Sequence, residues 1–246
     1  VGVIGEAKID ASGTAGGGAI LIGGDYQGKN PEVQNAKATF VGKNAEINAD
    51  ATEKGDGGRL IVWSDEATRV YGSISAQGGA LGGDGGFVET SGHYLDVEGI
   101  SVNAGSAYGK GGVWLLDPFN VTVGLAQGLL DGFTPNFIAD VINSTVSTTA
   151  INTALDSGIN VLIQTGAGQS ANLGDVNVNA DIKKTAGSDA TLTLSAHNDV
   201  NINSSINSTF GKLNLTVISD SDLGGAGVTN INSDINTNGG GLTATG

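Results

Sequence analysis

The chain has no cysteine and no methionine, and only three prolines and two histidines among its 246 residues. Without cysteine there are no disulfides, no thiolate metal sites and no cysteine nucleophile. Few prolines and no G-x-y period exclude collagen. Arginine is almost missing too, with Arg59 and Arg69 alone. Eleven bases face 25 acids, for a net charge of −14. A phosphate-binding surface needs clustered Lys and Arg. The one adjacent basic pair is Lys183–Lys184, so nucleic acid and anionic membrane surfaces are not expected partners. No apolar run approaches the ~18 residues of a membrane-spanning helix, so no membrane insertion is expected. Leu, Glu, Lys and Arg are too scarce for a coiled coil. With no Met and no basic, apolar leader at Val1, the chain reads as a processed protein or an internal piece of a longer one.

Glycine is abundant, at 42 residues, while 39% of the chain is apolar and 15% charged. That apolar content argues against disorder. The glycines sit between short apolar runs that repeat. In the first half, Ile9-Asp-Ala-Ser precedes Gly16-Gly-Gly-Ala-Ile-Leu-Ile22. Ile47-Asn-Ala-Asp precedes Gly57-Gly-Arg-Leu-Ile-Val-Trp63, and Ile74-Ser-Ala-Gln precedes Gly85-Gly-Phe-Val-Glu-Thr90. Val102-Asn-Ala-Gly precedes Gly111-Gly-Val-Trp-Leu-Leu116. In the second half, Val178-Asn-Ala-Asp-Ile182 matches Ile202-Asn-Ser-Ser-Ile206 and Ile231-Asn-Ser-Asp-Ile235. Each is followed by an alternating run such as Thr191-Leu-Thr-Leu-Ser-Ala196, the pattern of a strand with one buried face.

Short alternating strands recurring every 20–30 residues or so predict an all-β fold, a right-handed parallel β-helix with a short helix-containing insertion. Ile47, Ile74 and Val102 should then stack in one inward file. Three segments follow: repeats of a first type over 1–123, with a loop inserted at 25–38; a loop and short helix over 124–158; and repeats of a second type over 159–246. The helix is expected after Ser147 as N-cap, with Ile151, Ala154 and Leu155 on one face and Gly158 as its stop, lying on the side of the stack.

Four blocks carry a family resemblance: Gly57-Gly-Arg-Leu-Ile-Val-Trp-Ser-Asp65, Gly72-Ser-Ile-Ser-Ala-Gln-Gly-Gly79, Gly85-Gly-Phe-Val-Glu-Thr-Ser-Gly92 and Gly112-Val-Trp-Leu-Leu-Asp-Pro118. They resemble a recurring block of the filamentous-haemagglutinin-like large exoproteins of the two-partner secretion pathway in Gram-negative bacteria. The resemblance covers roughly residues 40–245. It implies a β-helical exoprotein exported through an outer-membrane TpsB-type transporter to the cell surface or beyond, in a family of adhesins, haemolysins, toxins and haem-acquisition proteins.

No catalytic, cofactor-binding or metal residue is assigned. His93 and His197 lie about 100 residues apart, too far for a shared triad or metal site. Gly82-Gly-Asp84-Gly-Gly is similar to a calcium nonapeptide but occurs once, and reads as a corner. The Gly-rich runs lack the Lys-Ser/Thr of a phosphate loop. Asp65, Glu66, Glu89 and Asp96 fall at nearby positions of successive repeats and can share one face. Sequons occur at Asn120, Asn143, Asn203, Asn207 and Asn214. Recognition is expected from the loops and aromatics: Tyr26 and Pro31 in the inserted loop, Trp63, and Phe133 and Phe137 in the segment Gly124–Asn143. Trp63 and Trp114, each closing an apolar run, are expected to stack in the core. The expected role is a stiff adhesive segment that binds a host-cell receptor, glycan or host protein. The alternatives are haem or nutrient acquisition from a host carrier and, less favoured, a polysaccharide-active enzyme with paired carboxylates in a lateral groove.

Overall fold

The computed structural model describes residues 1–125, 143–166 and 173–246. Phe133 and Phe137 lie outside these. The described chain is mostly strand, and every strand pair in it is parallel. The strands form an all-β parallel fold of three faces that the chain visits in turn.

The first face shows why the sequence alternates. Ile20, Leu60, Val88, Trp114, Val161, Leu192, Leu215 and Leu242 lie opposite one another in eight adjacent strands. All but the terminal Leu242 are buried in one continuous apolar core. A side chain two residues on points the same way. A second file therefore runs beside the first, through Ile22, Val62, Thr90, Leu116, Ile163, Leu194 and Val217. Each fully buried aliphatic in such a file contributes roughly 1.5–3 kcal/mol. On the third face Ile9, Ile47, Ile74 and Val102 are in register, as the repeat spacing predicts.

The strands Arg59–Val70 and Phe87–Asp96 are long because they run round the corner from the first face to the second. Their pairing slips between Ser64 and Ala67, where the chain turns. At other corners backbone meets backbone: a Cβ on Gly85 would lie 1.8 Å from the Ala104 carbonyl oxygen, so only glycine fits.

Two features depart from a plain repeat. On the second face, Ser144–Ser147 sits between Phe87–Asp96 and Val121–Gly124, although it follows the latter in the chain. The second departure is helix α1, Thr148–Asp156, capped by the Ser147 side chain, which accepts from the Ala150 N–H. Gly158 follows with φ of +74°. The helix is not on the side of the stack. Its apolar residues Ile151 and Leu155 are fully buried in the common core. It fills the place of one strand on the third face, between Ser101–Asn103 and Ile182–Lys184. Asn152 and Asp156 accept from the backbone N–H groups of Lys183, Thr185 and Ala186, standing in for the strand edge that a helix cannot offer.

Candidate functional site

On the first face every second residue points outward. In Arg59–Val70 these are Arg59, Ile61 and Trp63; opposite them lie Phe87, Glu89 and Ser91, then Val113, Leu115 and Asp117. Ile61, Leu115 and Glu89 are nonetheless fully buried, and Trp63 is 9% exposed. Part of their cover is the loop at 25–38, which folds back over the sheet as a strap.

The strap begins with a short 3-10 turn, Tyr26–Gly28, capped by the Asp25 carboxylate on the Tyr26 N–H. The Asn30 side chain donates to the same carboxylate at 2.7 Å, and Ala36 N–H closes the base onto Gly23 O at 2.6 Å. Gly28 lies flat on the Trp63 ring, where a Cβ would come within 2.5 Å of the indole. Trp63 Nε1 donates to Asp65 Oδ1 at 3.3 Å, and Asn35 donates to the same oxygen at 2.9 Å. Gln27 is the central contact. Its backbone N–H donates to Glu89 Oε1 at 3.0 Å, and its Nε2 donates to Asp117 Oδ2 at 2.8 Å. Its Oε1 accepts from Lys29 Nζ at 2.7 Å. These bonds hold Gln27 at φ +53°, a left-handed conformation that costs a non-glycine residue about 1–2 kcal/mol.

The electrostatics are set by burial. Burial pushes the Glu89 carboxyl up to about 7, with Asp117 adding to the rise and the Gln27 amide opposing it. Burial likewise pushes Asp117 up to about 6, against the Gln27 side chain and Lys29. The buried Ser91 hydroxyl beside the carboxyl also opposes the rise, as a side-chain donor to Glu89. On the strap itself the logic reverses: the Asn30 and Tyr26 donors, with Arg59, hold Asp25 below its ordinary range. Arg59 Nη2 lies 3.3 Å from Asp25 Oδ1, and its guanidinium stands over the Tyr26 ring at 5.7 Å. Tyr26, 41% exposed, tilts against Phe87 at 6.0 Å.

The expected recognition residues therefore separate. Tyr26 and Pro31 are on the strap, Tyr26 beside Arg59 and Phe87 and Pro31 at its exposed tip. Trp63 lies beneath it and does not stack in the core. The two tryptophans are not equivalent: Trp114 aligns with Leu60 and points inward, its Nε1 donating to Thr90 Oγ1 at 3.0 Å, whereas Trp63 aligns with Ser91 and Asp117. Gln27 carried no sequence signal. The four acids do not converge. Glu89 is under the strap and Asp65 at its edge, Glu66 is exposed near Lys37, and Asp96 accepts from Tyr71 on the second face.

The remaining motifs have local roles. Asp84 Oδ1 accepts from the Lys110 N–H at a corner, and among the described residues no three His, Asp or Glu could hold a metal ion together. His93 stacks on Phe119, while His197 Nε2 lies 3.2 Å from Asp222. Lys184 is fully buried, with its ammonium on the Ala186 carbonyl, so Lys183–Lys184 is not a surface pair. Asn120 is buried and accepts from the Gly174 and Asp175 N–H groups, leaving no room for a sugar there. No protein-family model matches the chain, and no curated protein matches it either.

Proposed function

We propose that the chain is a right-handed parallel β-helical segment of a secreted bacterial surface exoprotein of the filamentous-haemagglutinin-like kind, serving as a stiff adhesive module. The observation that carries this reading is the unbroken in-register file from Ile20 to Leu242. Parallel ladders of this length make a rigid element with backbone hydrogen bonds running along its axis. The four resembling blocks supply its first-half strands, and export through an outer-membrane partner fits a chain without cysteine. Adhesion is favoured over catalysis because Glu89 and Asp117, the carboxylates that come together on one face, are roofed by Gln27 and closed to a polymer. Recognition of a host receptor or glycan would fall to the strap, with Tyr26 and Arg59 on its exposed side.

The test is binding of the chain to host cells and to a glycan panel, beside a variant in which residues 25–36 are replaced by a short Gly-Ser turn. Saturable binding that the variant loses supports the adhesive role of the strap. Equal binding by both proteins moves recognition elsewhere, and no binding by either leaves only a spacer.

A further inference from the structure

We propose that the groove between the third face and the first binds an extended glycan built of N-acetylated amino sugars, whose acetamido N–H groups donate to carbonyl oxygens of the groove floor. This surface is separate from the strap, and the inference holds whether or not the strap binds a receptor.

The groove is a by-product of the corner. Successive turns of the stack pass from the third face to the first through Gly57-Gly58, Gly85-Gly86 and Gly111-Gly112. A Cβ on Gly58 would lie 2.1 Å from Gly18 O, and one on Gly86 2.1 Å from Gly58 O, so the floor can carry no side chain. The bare corners line up as a trough of about 740 Å³. A second hollow of about 680 Å³ continues it past Lys110 and Gly111 to Asn160. One wall is apolar, from Phe87 and Val113, and the other carries Asp56, Asp84 and Lys110.

The chain itself shows what chemistry the floor accepts. Asn160 is in register with Val113 and, one strand farther on, Phe87. Its side-chain amide donates to Gly111 O at 3.1 Å and Gly112 O at 3.2 Å. The backbone pattern is the same at the two corners before it. Asn160 N–H donates to Gly112 O at 2.9 Å, Val113 N–H to Gly86 O at 3.0 Å and Phe87 N–H to Gly58 O at 2.9 Å. Val113 and Phe87, however, have no side-chain donor. At Gly85-Gly86 and Gly57-Gly58 the place that the Asn160 amide fills is therefore left to an amide from outside, and an acetamido group carries one.

A peptide strand fits less well. The N–H groups of Gly57, Gly58, Gly85 and Gly86 already donate to Asp84, Ala49, Lys110 and Ala76 carbonyls. The floor thus offers acceptors without donors, and an added strand would leave its own carbonyls unpaired. A sugar ring instead has an apolar face for Phe87 and Val113 and a hydroxyl edge for the acidic wall. Asp56 Oδ1 accepts from the Asp84 N–H and Asp84 Oδ1 from the Lys110 N–H, both at 2.8 Å, so each carboxylate keeps a second oxygen for a hydroxyl. Anionic glycans are disfavoured, because Arg59 is already paired with Asp25 and the chain carries −14. Corners recur at the strand spacing of about 4.8 Å, near the length of one sugar unit, so successive units meet successive corners.

Calorimetric titration of the intact chain tests this, using a hexamer of β-1,4-linked N-acetylglucosamine beside the β-1,4-linked glucose hexamer, which lacks the acetamido groups. The first should bind, with amide shifts at Gly57, Gly85 and Gly111 in NMR spectra, and the second should bind roughly tenfold more weakly or not at all. Val113→Asn sets a carboxamide over Gly85-Gly86 as Asn160 does over Gly111-Gly112, and should weaken the hexamer roughly tenfold by filling its place. Phe87→Ala removes the apolar wall and should cost roughly three- to tenfold. Melting curves establish that each variant is folded. Replacing 25–36 by a Gly-Ser turn should leave hexamer binding unchanged. No binding of the acetylated hexamer, equal binding of the two hexamers, or full affinity in a folded Val113→Asn variant each overturns the proposal. Loss of binding on strap replacement overturns it too, by moving the glycan to the strap.

Discussion

The outer faces of the two halves solve one problem in opposite ways. In the first half, outward positions carry Ile61, Trp63, Glu89, Leu115 and Asp117, which water would not favour or which must be buried with care. A strap from elsewhere in the chain is needed to cover part of them. In the second half, outward positions on the second face carry asparagines that pair with each other. Asn230 donates to Asn201, and Asn201 to Asn177; Asn232 donates to Asn203, and Asn203 to Asn179. Such an amide ladder saturates itself along the axis and needs no cover. The inner files are alike in both halves, so stacking is general, whereas the outer positions decide where the molecule needs a cover.

Substitutions can break this comparison, beginning with the largest effect. Trp114→Ala empties a fully buried inward site and should cost about 3–5 kcal/mol in denaturant titrations. Trp63→Ala, 9% exposed beneath the strap, should cost about 3 kcal/mol, the low end of that range, and also speed exchange in the strap. Gly85→Ala should cost about 2–3 kcal/mol, since its methyl would meet the Ala104 carbonyl at 1.8 Å. Gly241→Ala in the second half meets nothing nearer than Asn214 Oδ1 at 3.8 Å and should stay within about 0.5 kcal/mol of wild type. Thermal melts of both would weigh corner against corner.

Glu89→Gln should match the wild type in stability near pH 4. As pH rises to about 7 the wild type must ionise a buried carboxyl, and the variant should become the more stable by about 1–3 kcal/mol. A pair of melting curves against pH reads this directly. The smallest effect belongs to Asn201→Ala, which removes two amide bonds from a partly solvated ladder and should cost about 1 kcal/mol or less.

Much of the inner architecture was legible from the residues. The alternation in Thr191–Ser195 and the anchors Ile47, Ile74 and Val102 fall in the files that period-2 side-chain geometry demands. Ser147, Ile151 and Leu155 announced α1, because a cap and an apolar stripe are local signals. What escaped was decided by parity and by distance. Trp63 and Trp114 both close apolar runs, but three residues separate Leu60 from Trp63, and an odd offset turns a side chain to the opposite face. Gln27 reaches partners 62 and 90 residues away, and no local pattern marks such bonds. The exchanged order of Val121–Gly124 and Ser144–Ser147 is a matter of chain path, on which strand composition is silent.

Helix α1 has a mechanical consequence. Nine helical residues cover about 13 Å, against about 10 Å for a three-residue strand, so it bridges the face with more chain at similar length. It also splits that face into two separately bonded sheets, Lys8–Asp10 to Ser101–Asn103 and Ile182–Lys184 to Ile235–Asn236. Tension applied along the stack would cross this seam through packed side chains and a few Asn and Asp contacts, while the first face carries it through continuous backbone bonding. A molecule pulled at its ends should yield by hinging open at α1.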